Sequence, residues 1–390
     1  MPDCNLGTTK GGTMIGQGSF GCVFKPSIPC SNKVQSQGSD NVSKIFFGSD
    51  SKKEAKEELD IDKKVRMIKG FEDWSHVWLR KCNPPSYENI YKYDKGIKQC
   101  LESSDIDISE FNKTKQMLKG TDAGHTLESV IDHLFTKSVF SNKKKFVHNF
   151  LHIVELMKPL FLGIQEMYKH KMSHNDIKED NVMIDEDGLK FIDFGLAAMW
   201  SNNKFYKERC QSEFFWERVY PPYPYEFFYL YANVDDLLTE RDEKLHKLYR
   251  KYNDRYLDLH GKMFQRKKIH DYLVNLIDSF IQHNRTKEKK QIISMVDTYS
   301  VGALFPALLM KRAQKYKKVK SLTTFIKDPL ISPFMSLFKQ MTEPDYHNRI
   351  NPIEANKKYL ELEKLYLTKP SKKNVKKTKR TKRTKRTKRK

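Results

Sequence analysis

The 390-residue sequence predicts an α+β fold, with strands in the amino-terminal part of the chain and helices through most of the remainder. Two strand-like stretches flank the glycine-rich turn in MIGQGSFGCVFK. From about Phe146, FVHNFLHIVELMKPLFLGIQEMYK has apolar residues at helical spacing over several turns, which predicts one long buried helix. A chain of this length can bury a sizeable core without a metal or a disulfide.

The polar stretch from His174 to Gly195, HNDIKEDNVMIDEDGLKFIDFG, contains the residues that point to chemistry. Asp176 and Asn181 share a loop, and Asp193 follows the apolar strand LKFI, so two carboxylates and an amide can converge. Carboxylate and amide oxygens bind the hard divalent cations that neutralise a nucleotide triphosphate, while another carboxylate orients an attacking hydroxyl. The pattern therefore indicates phosphoryl transfer, with Asn181 and Asp193 as candidate metal ligands.

HNDIKEDN followed by IDFG resembles the H-R-D-x-K-x-x-N and D-F-G motifs of eukaryotic-type protein kinases, with Asn175 replacing the usual arginine. The resemblance covers residues 13 to 365 and implies a bilobal fold, with a β-rich small lobe to about residue 120 and a mainly helical large lobe beyond. It implies ATP and Mg²⁺ as cofactors, protein substrates, and Asp176 as the group that orients the hydroxyl and accepts its proton. Lys178 is similar to the lysine of the Ser/Thr class, which contacts the transferring phosphate.

The glycine-rich stretch belongs to the predicted nucleotide site. Gly16, Gly18 and Gly21 form G-x-G-x-x-G between two strands, where backbone N–H groups can approach phosphates without colliding side chains. Val23 would cover a purine from above, and we assign Ile15 to the same site.

The next strand and helix supply a predicted ion pair. VSK occupies the place of the family's V-A-I-K, although the lysine follows the valine by two residues rather than three. By this resemblance Lys44 would bind the α- and β-phosphates. A helix predicted from about Ser51 would offer it a glutamate, for which Glu58 is our first choice and Glu54 and Glu57 remain alternatives.

KQMLKGTDAGHTLESVI is similar to the segment that joins the two lobes of a kinase. In this interpretation the backbone from Lys119 to Thr121 meets the adenine edge. Leu118 lines the pocket behind the base. Upstream, HVWLRKC is a candidate strand, and the rest of residues 71 to 115 gives no clear pattern.

The large lobe shows further resemblances after Gly195. PYPYE places Glu226 where the family has its A-P-E glutamate, and Arg349 is similar to the late arginine that pairs with it. DTYSVG, residues 297 to 302, resembles the start of the central helix of the large lobe. Residues 232 to 292 are more than the family needs, and they predict a helical insertion.

The formal net charge of +23 is unevenly distributed. Residues 369 to 390 contain 14 Lys and Arg and no acid, which leaves +9 on the rest. We predict that the tail, 366 to 390, is disordered and binds nucleic acid, an import receptor or an acidic membrane surface. Residues 1 to 12 are predicted to be flexible.

Six cysteines occur without a C-x-x-C pair, which favours free thiols in reducing surroundings over a zinc site or a disulfide framework. The amino terminus lacks a signal pattern, and VGALFPALLM is too short to span a bilayer. We therefore expect a soluble intracellular protein without a transmembrane segment, in the cytoplasm or nucleus of a host cell. The inserted loops and Lys-rich composition are similar to divergent kinases of large DNA viruses, for which a virion is a further location.

Two other functions are compatible with these patterns. A pseudokinase scaffold would usually have lost a metal ligand or the catalytic base, whereas Asp176, Asn181 and Asp193 are all present. A nucleic-acid-binding protein would depend on the basic tail rather than on the motifs. The motifs favour an ATP-dependent serine/threonine-protein kinase.

Overall fold

The computed structural model describes residues 13–18, 21–31, 41–211 and 286–367, with residues 223, 224, 226, 227, 230, 231, 271, 274 and 275. The predictions for residues 1–12, for most of 232–292 and for the tail from 368 lie outside this part of the chain.

A five-stranded antiparallel sheet forms the small lobe, in the order β1-β2-β3-β5-β4. The helix α1 covers one face and follows β3, whose residues are all buried because both faces of the sheet are covered. The bounds are β1 (Thr13–Gly18), β2 (Gly21–Lys25), β3 (Val42–Phe46), α1 (Ser51–Arg66), β4 (Trp78–Cys82) and β5 (Gln116–Gly120). The candidate strand in HVWLRKC is thus β4.

Three short helices between β4 and β5 cover the other face of the sheet. They are α2 (Tyr87–Tyr93), α3 (Gly96–Ser103) and α4 (Ile108–Thr114). The sequence did not reveal them, because a helix of seven or eight residues has too few turns to establish a period. Their buried apolar residues pack against β2, β3 and β5 in one cluster, which includes Phe24, Ile45, Ile90, Ile97, Phe111 and Met117.

The prediction of free thiols is wrong for four cysteines. Disulfides join Cys22 to Cys100 and Cys30 to Cys82. The partners are 78 and 52 residues apart in sequence, so no short spacing could indicate them. Cys100 meets Cys22 when α3 packs on the sheet, whereas Cys82, at the end of β4, meets Cys30 in the loop after β2. Cys210 is a buried thiol whose Sγ donates to the carbonyl oxygen of Phe227 at 3.3 Å.

The large lobe is mainly helical, with two small sheets beside the predicted site, which confirms the α+β bilobal fold. The three-stranded sheet has the order β6-β8-β9, and β7 pairs with β10. The helices are α5 (Leu127–Leu134), α6 (Lys143–Leu156), α7 (Lys158–Lys169), α8 (Asn203–Gln211), α9 (Thr286–Lys315), α10 (Val319–Phe325), α11 (Ser332–Met341) and α12 (Pro352–Leu362), followed by a π-helical turn (Glu363–Leu367). The strands are β6 (His125–Thr126), β7 (Met172–Ser173), β8 (Val182–Ile184), β9 (Leu189–Phe191) and β10 (Ala198–Met199).

Two helix predictions need correction. The single helix expected from Phe146 is two helices, α6 and α7, which meet at Met157. Pro159, in the first turn of α7, has no N–H to continue the hydrogen bonds of α6, and it favours a new helix start. DTYSVG does not begin the central helix, because α9 is already helical from Thr286 and Asp297 lies about three turns inside it.

The helix α9 lies in the core of the large lobe. By length and composition its apolar part, Glu288–Lys315, could cross a membrane. However, 94% of the apolar 18-residue stretch within it is buried inside the protein. Val301, Leu304, Phe305 and Leu308 all belong to the main hydrophobic cluster. The described structure therefore explains the apolar character of α9 by packing.

Candidate active site

The loop between β7 and β8 and the turn after β9 carry the predicted catalytic and metal-binding residues. Asn175 and Asp193 have backbone φ angles of 61° and 58°, in the left-handed region that few non-glycine residues adopt. Asp297 of α9 fixes the loop, because its carboxylate accepts the backbone N–H groups of His174 at 2.7 Å and of Asn175 at 3.1 Å.

Asp176 is buried, and its two carboxylate oxygens have different surroundings. Oδ2 accepts hydrogen bonds from Asn181 Nδ2 at 2.7 Å and Lys178 Nζ at 3.2 Å. Oδ1 has no hydrogen-bond partner among the described residues. Burial raises the pKa of Asp176 to about 6, with Lys178 lowering it and Asp193 raising it further. One oxygen is therefore held in place while the other can accept a proton from a bound hydroxyl.

Asn181 and Asp193 provide the oxygen atoms for a cation. Asn181 Nδ2 donates to the backbone oxygen of Asp176 at 3.0 Å as well as to its carboxylate, so the amide oxygen is left for another partner. Burial raises the pKa of Asp193, but Lys44, the Gly195 N–H, His174 and Lys178 outweigh it, and the net pKa is lowered.

This donor set fits Mg²⁺. Within the described part of the chain no group of three His, Cys, Asp or Glu could hold a metal ion. A cation here would take one amide oxygen, one carboxylate and further ligands from phosphate and water, which is the usual arrangement for Mg²⁺ in phosphoryl-transfer sites.

Lys44 forms a buried ion pair with Glu58. Its Nζ donates to both carboxylate oxygens of Glu58, at 2.9 and 2.8 Å, and lies 3.9 Å from Asp193 Oδ1. Burial lowers the pKa of Lys44, but Glu58 and Asp193 raise it more, so the amine stays charged. Of the three glutamates that the sequence left open, Glu58 is the one that makes this contact.

Trp78 supports this ion pair through a hydrogen bond to Glu58, and Asp62 in turn holds Trp78. Neither residue was selected in the sequence analysis. Trp78 Nε1 donates to Glu58 Oε1 at 2.6 Å, and the Trp78 backbone N–H donates to Asp62 Oδ2 at 2.7 Å. Glu58 and Asp62 are four residues apart on α1 and so lie on one side of the helix. Their i, i+4 spacing was the available signal, but nothing in the sequence indicates that β4 would face them.

Four predicted nucleotide-site residues form one row across the small-lobe sheet. The strand register pairs Gly16 with Val23, Val23 with Lys44, and Lys44 with Leu118, so all four lie on the face that α1 covers. Leu118 is fully buried and packs in the cluster under α1, whereas Ile15 is exposed.

Packing against β3 requires a glycine at position 21, whether or not its backbone also contacts phosphate. Its φ is +154°, and an added Cβ would meet the carbonyl oxygen of Ile45 in β3 at 2.1 Å. Gly18 is its cross-strand partner at the end of the hairpin.

An extended segment follows β5 at the place where the sequence analysis expected the linker between the lobes. Lys119 and Gly120 lie inside β5, between β3 and β4, and the extended segment starts at Thr121. His76, which the sequence analysis did not select, connects this segment to the large lobe: its ring nitrogens lie 3.2 Å from Thr121 Oγ1 and 2.9 Å from Asp185 Oδ2.

The side-chain amide nitrogen of Asn175, at the position of the family's arginine, contacts neutral oxygen atoms. Its Nδ2 lies within hydrogen-bond distance of the backbone oxygens of Ser173 and Leu196 and of the Tyr206 hydroxyl, at 3.1, 3.2 and 3.4 Å. Tyr223 donates from its hydroxyl to the Asn175 carbonyl at 2.5 Å. Two tyrosines from the segment after Gly195 are thereby joined to the catalytic loop.

The predicted contact between Glu226 and Arg349 is present. Arg349 Nη1 donates to Glu226 Oε1 at 2.6 Å, and both side chains are fully buried. Arg349 also donates to the backbone oxygens of Glu343 and Pro344, at 2.8 and 3.2 Å. The pair ties the segment after the site to the carboxyl-terminal helices.

Comparisons with known proteins find similarity to protein kinases. A family model described as the protein kinase domain matches residues 111–217. Serine/threonine-protein kinase fray1 of Dictyostelium discoideum is 39% identical over 51 residues, which are 13% of this chain and 9% of that protein. The probable cyclin-dependent kinase 9 of Caenorhabditis elegans is 46% identical over 48 residues, 12% of this chain and 10% of that one. The CTD kinase subunit alpha of Saccharomyces cerevisiae is 40% identical over 55 residues, which are 14% of this chain and 10% of that protein.

The matched segments thus span about a tenth of each relative's length. The two-lobed α+β fold is consistent with the protein kinase domain that residues 111–217 match. The match over residues 111–217 and the similarity to these relatives support the eukaryotic-type protein kinase superfamily for this chain. The similarity to viral kinases stays a prediction.

Proposed function

We propose that the protein is an ATP-dependent serine/threonine kinase that transfers the γ-phosphate of ATP to hydroxyl groups of protein substrates. The observation that carries the proposal is Asp176, a buried carboxylate with one oxygen fixed and the other without a partner in the described structure. A pseudokinase scaffold has no need of such an arrangement.

The chain's own residues have separate roles in this mechanism. Asp176 Oδ1 orients the substrate hydroxyl and accepts its proton as the phosphate bond forms. Lys44, held by Glu58, binds the α- and β-phosphates, and Lys178 stabilises charge on the transferring group. Asn181 and Asp193 would hold Mg²⁺, which neutralises phosphate charge when it is bound. Serine or threonine is the proposed acceptor because Lys178, beside Asp176, resembles the lysine of that class.

The test is phosphorylation of a panel of basic and acidic proteins with radiolabelled ATP. Asp176→Asn should lower the rate at least ~10²-fold while nearly preserving ATP binding, because base and orientation are lost together. Asp187→Asn is the matched control, since this carboxylate is exposed in the β8–β9 turn and should leave the rate unchanged. Equal rates for parent and Asp176→Asn would remove Asp176 from its role.

Asp193→Asn should behave differently from Asp176→Asn. It removes a charged ligand, so ATP affinity in the presence of Mg²⁺ should fall along with the rate. An ATP affinity that responds neither to Mg²⁺ nor to this substitution would contradict the metal assignment.

The charge of the tail favours a second candidate function, tethering to nucleic acid or to an import receptor in the cytoplasm, nucleus or virion. Its 14 basic residues would release counterions from a phosphate backbone. Removal of residues 369–390 should abolish most salt-sensitive binding to DNA or RNA and leave peptide phosphorylation intact. If the truncated protein still binds DNA or RNA as tightly as the parent, the nucleic-acid-binding site lies in the folded domain instead of the tail.

A further inference from the structure

The glycine-rich hairpin presents different residues on its two faces. Gln17 of β1 and Cys22 of β2 are cross-strand partners, so their side chains share one face of the sheet. Gly16 and Val23 are the adjacent cross-strand pair and lie on the opposite face, with Lys44. A contact to Gln17 and Cys22 can therefore hold the hairpin without entering the proposed nucleotide site.

The inserted helix α3 makes these contacts. Cys100 is bonded to Cys22, and Ser103 Oγ donates to Gln17 Oε1 at 2.9 Å. Gln17 Nε2 donates to Ser104 Oγ at 3.4 Å. Cys100, Ser103 and Ser104 have the i, i+3, i+4 spacing of one helix side.

The other end of α3 also lies against β1. A Cβ on Gly96, the first residue of α3, would come within 2.9 Å of the Met14 side chain. The helix α3 thus runs alongside β1 from Met14 to Gln17, and the Cys22–Cys100 disulfide lies between these two contacts.

We propose that α3 is a strap that fixes the glycine-rich hairpin in its nucleotide-binding position, with Cys22–Cys100 as the covalent fastening. The proposal rests on the ATP-dependent function proposed above. β1 is an edge strand of the sheet, and among the described residues its strand partner is β2, so β1 is held by a neighbouring strand on one side. Fixing it beforehand lowers the entropic cost of ordering the hairpin when ATP binds.

Reduction would release the strap. A dithiol gives two electrons and two protons to the Cys22–Cys100 bond, which becomes two thiols while the dithiol closes to its own disulfide. The sulfurs differ in access, because Cys22 and Cys100 are fully buried and Cys30 and Cys82 are half-buried. Cys30–Cys82 should therefore open first, which provides an internal control.

The experiment titrates the oxidised full-length protein with dithiothreitol. At each step, alkylation and peptide mass spectrometry report which pair is open, and a fluorescent ATP analogue with Mg²⁺ reports affinity. We expect no change in Kd while only Cys30–Cys82 is open, and a rise of about tenfold when Cys22–Cys100 opens, reversed on reoxidation. The KM for ATP should rise in parallel, with kcat within about twofold, because the hairpin acts in binding.

Substitutions distinguish an effect of the strap on ATP binding from an effect on the overall stability of the protein. Cys100→Ser in the oxidised protein should bind ATP about as weakly as the reduced parent, and Ser103→Ala should weaken binding by about twofold through its exposed hydrogen bond. Cys30→Ser with Cys82→Ser removes the other disulfide and should keep both the parent affinity and its response to reductant. If Cys100→Ser does not fold, the reductant series and Ser103→Ala still decide the proposal.

The outcomes distinguish the strap from the proposed function. ATP binding that is indifferent to the Cys22–Cys100 bond, or free Cys22 and Cys100 thiols in the oxidised protein, would overturn the strap alone. Failure of the oxidised parent to bind ATP would overturn the proposed function and the strap with it.

Discussion

At the scale of single residues, the local motifs identified the charged groups of the site and missed the groups that hold them. Asp176, Asn181 and Asp193 lie in one short stretch, so their spacing in sequence was sufficient. Trp78 reaches Glu58 from a strand whose position depends on the whole small-lobe sheet. Contacts between elements distant in sequence leave no periodic pattern, and for this reason a single sequence could not reveal them.

The pKa of Asp176 predicts how the proposed activity depends on pH. Because burial places the pKa at about 6, we expect kcat/KM to fall about tenfold per pH unit below pH 6 and to level off above it. Lys178→Met should move the inflection upward, since Lys178 lowers the pKa. The measurement is kcat/KM between pH 5 and 8, and an inflection near 4 in the parent protein would contradict it.

The raised pKa of Asp176 also makes the free energy of unfolding depend on pH, in a definite direction. The folded pKa exceeds the ordinary value of 3.8, so between these values the folded protein holds a proton that the unfolded chain has released. The contribution of Asp176 to the free energy of unfolding therefore decreases as pH rises through that window.

Trp78→Phe tests the support of the Lys44–Glu58 pair. It removes the indole N–H from Glu58, and we expect kcat/KM to fall about tenfold, since a hydrogen bond to a charged group contributes about 1.5–3 kcal/mol. Trp200→Phe is the matched control, because it removes an indole bond to Ser173 Oγ away from Lys44. If both variants lower kcat/KM equally, the effect of Trp78→Phe cannot be assigned to its hydrogen bond with Glu58.

At the scale of elements, the strands with motifs and the start of α1 at Ser51 were predicted well, and the boundaries of the long helices of the large lobe were predicted poorly. The apolar pattern from Phe146 continues across the break at Met157, because α6 and α7 both bury one face in the same core. Only Pro159 signals the break. The helices α2 to α4 are too short for a pattern, and α3 carries Cys100, one half of the Cys22–Cys100 disulfide.

The segment after Gly195 should not need a phosphate to become ordered. Asn175 gives no charge that would attract one, and Tyr206 and Tyr223 already hydrogen-bond to it. Exhaustive phosphatase treatment, or Ser201→Ala and Ser212→Ala, should leave activity unchanged, although Ser212 lies outside the described residues. A loss of about a hundredfold, or 2.7 kcal/mol of transition-state stabilisation, would defeat this prediction.

At the scale of the whole molecule, one buried ion pair connects distant parts of the large lobe. Arg349→Met leaves the fully buried Glu226 without its charge partner and should lower the free energy of unfolding by about 3–5 kcal/mol. Lys158→Met breaks the more exposed pair with Glu363 and should cost less than about 1 kcal/mol. Urea unfolding of both variants gives the comparison, and similar losses would contradict a structural role for Glu226–Arg349.

The two hydrogen bonds from Trp78 to α1 also bear on how the domain could be switched. With Glu58 and Asp62 both held by β4, and Lys44 paired with Glu58, the structure has α1 docked on the small-lobe sheet. A binding partner can shift a population only if it prefers one state over another. A partner that bound α1 more tightly when the Trp78 bonds to Glu58 and Asp62 are broken would therefore oppose the docked state.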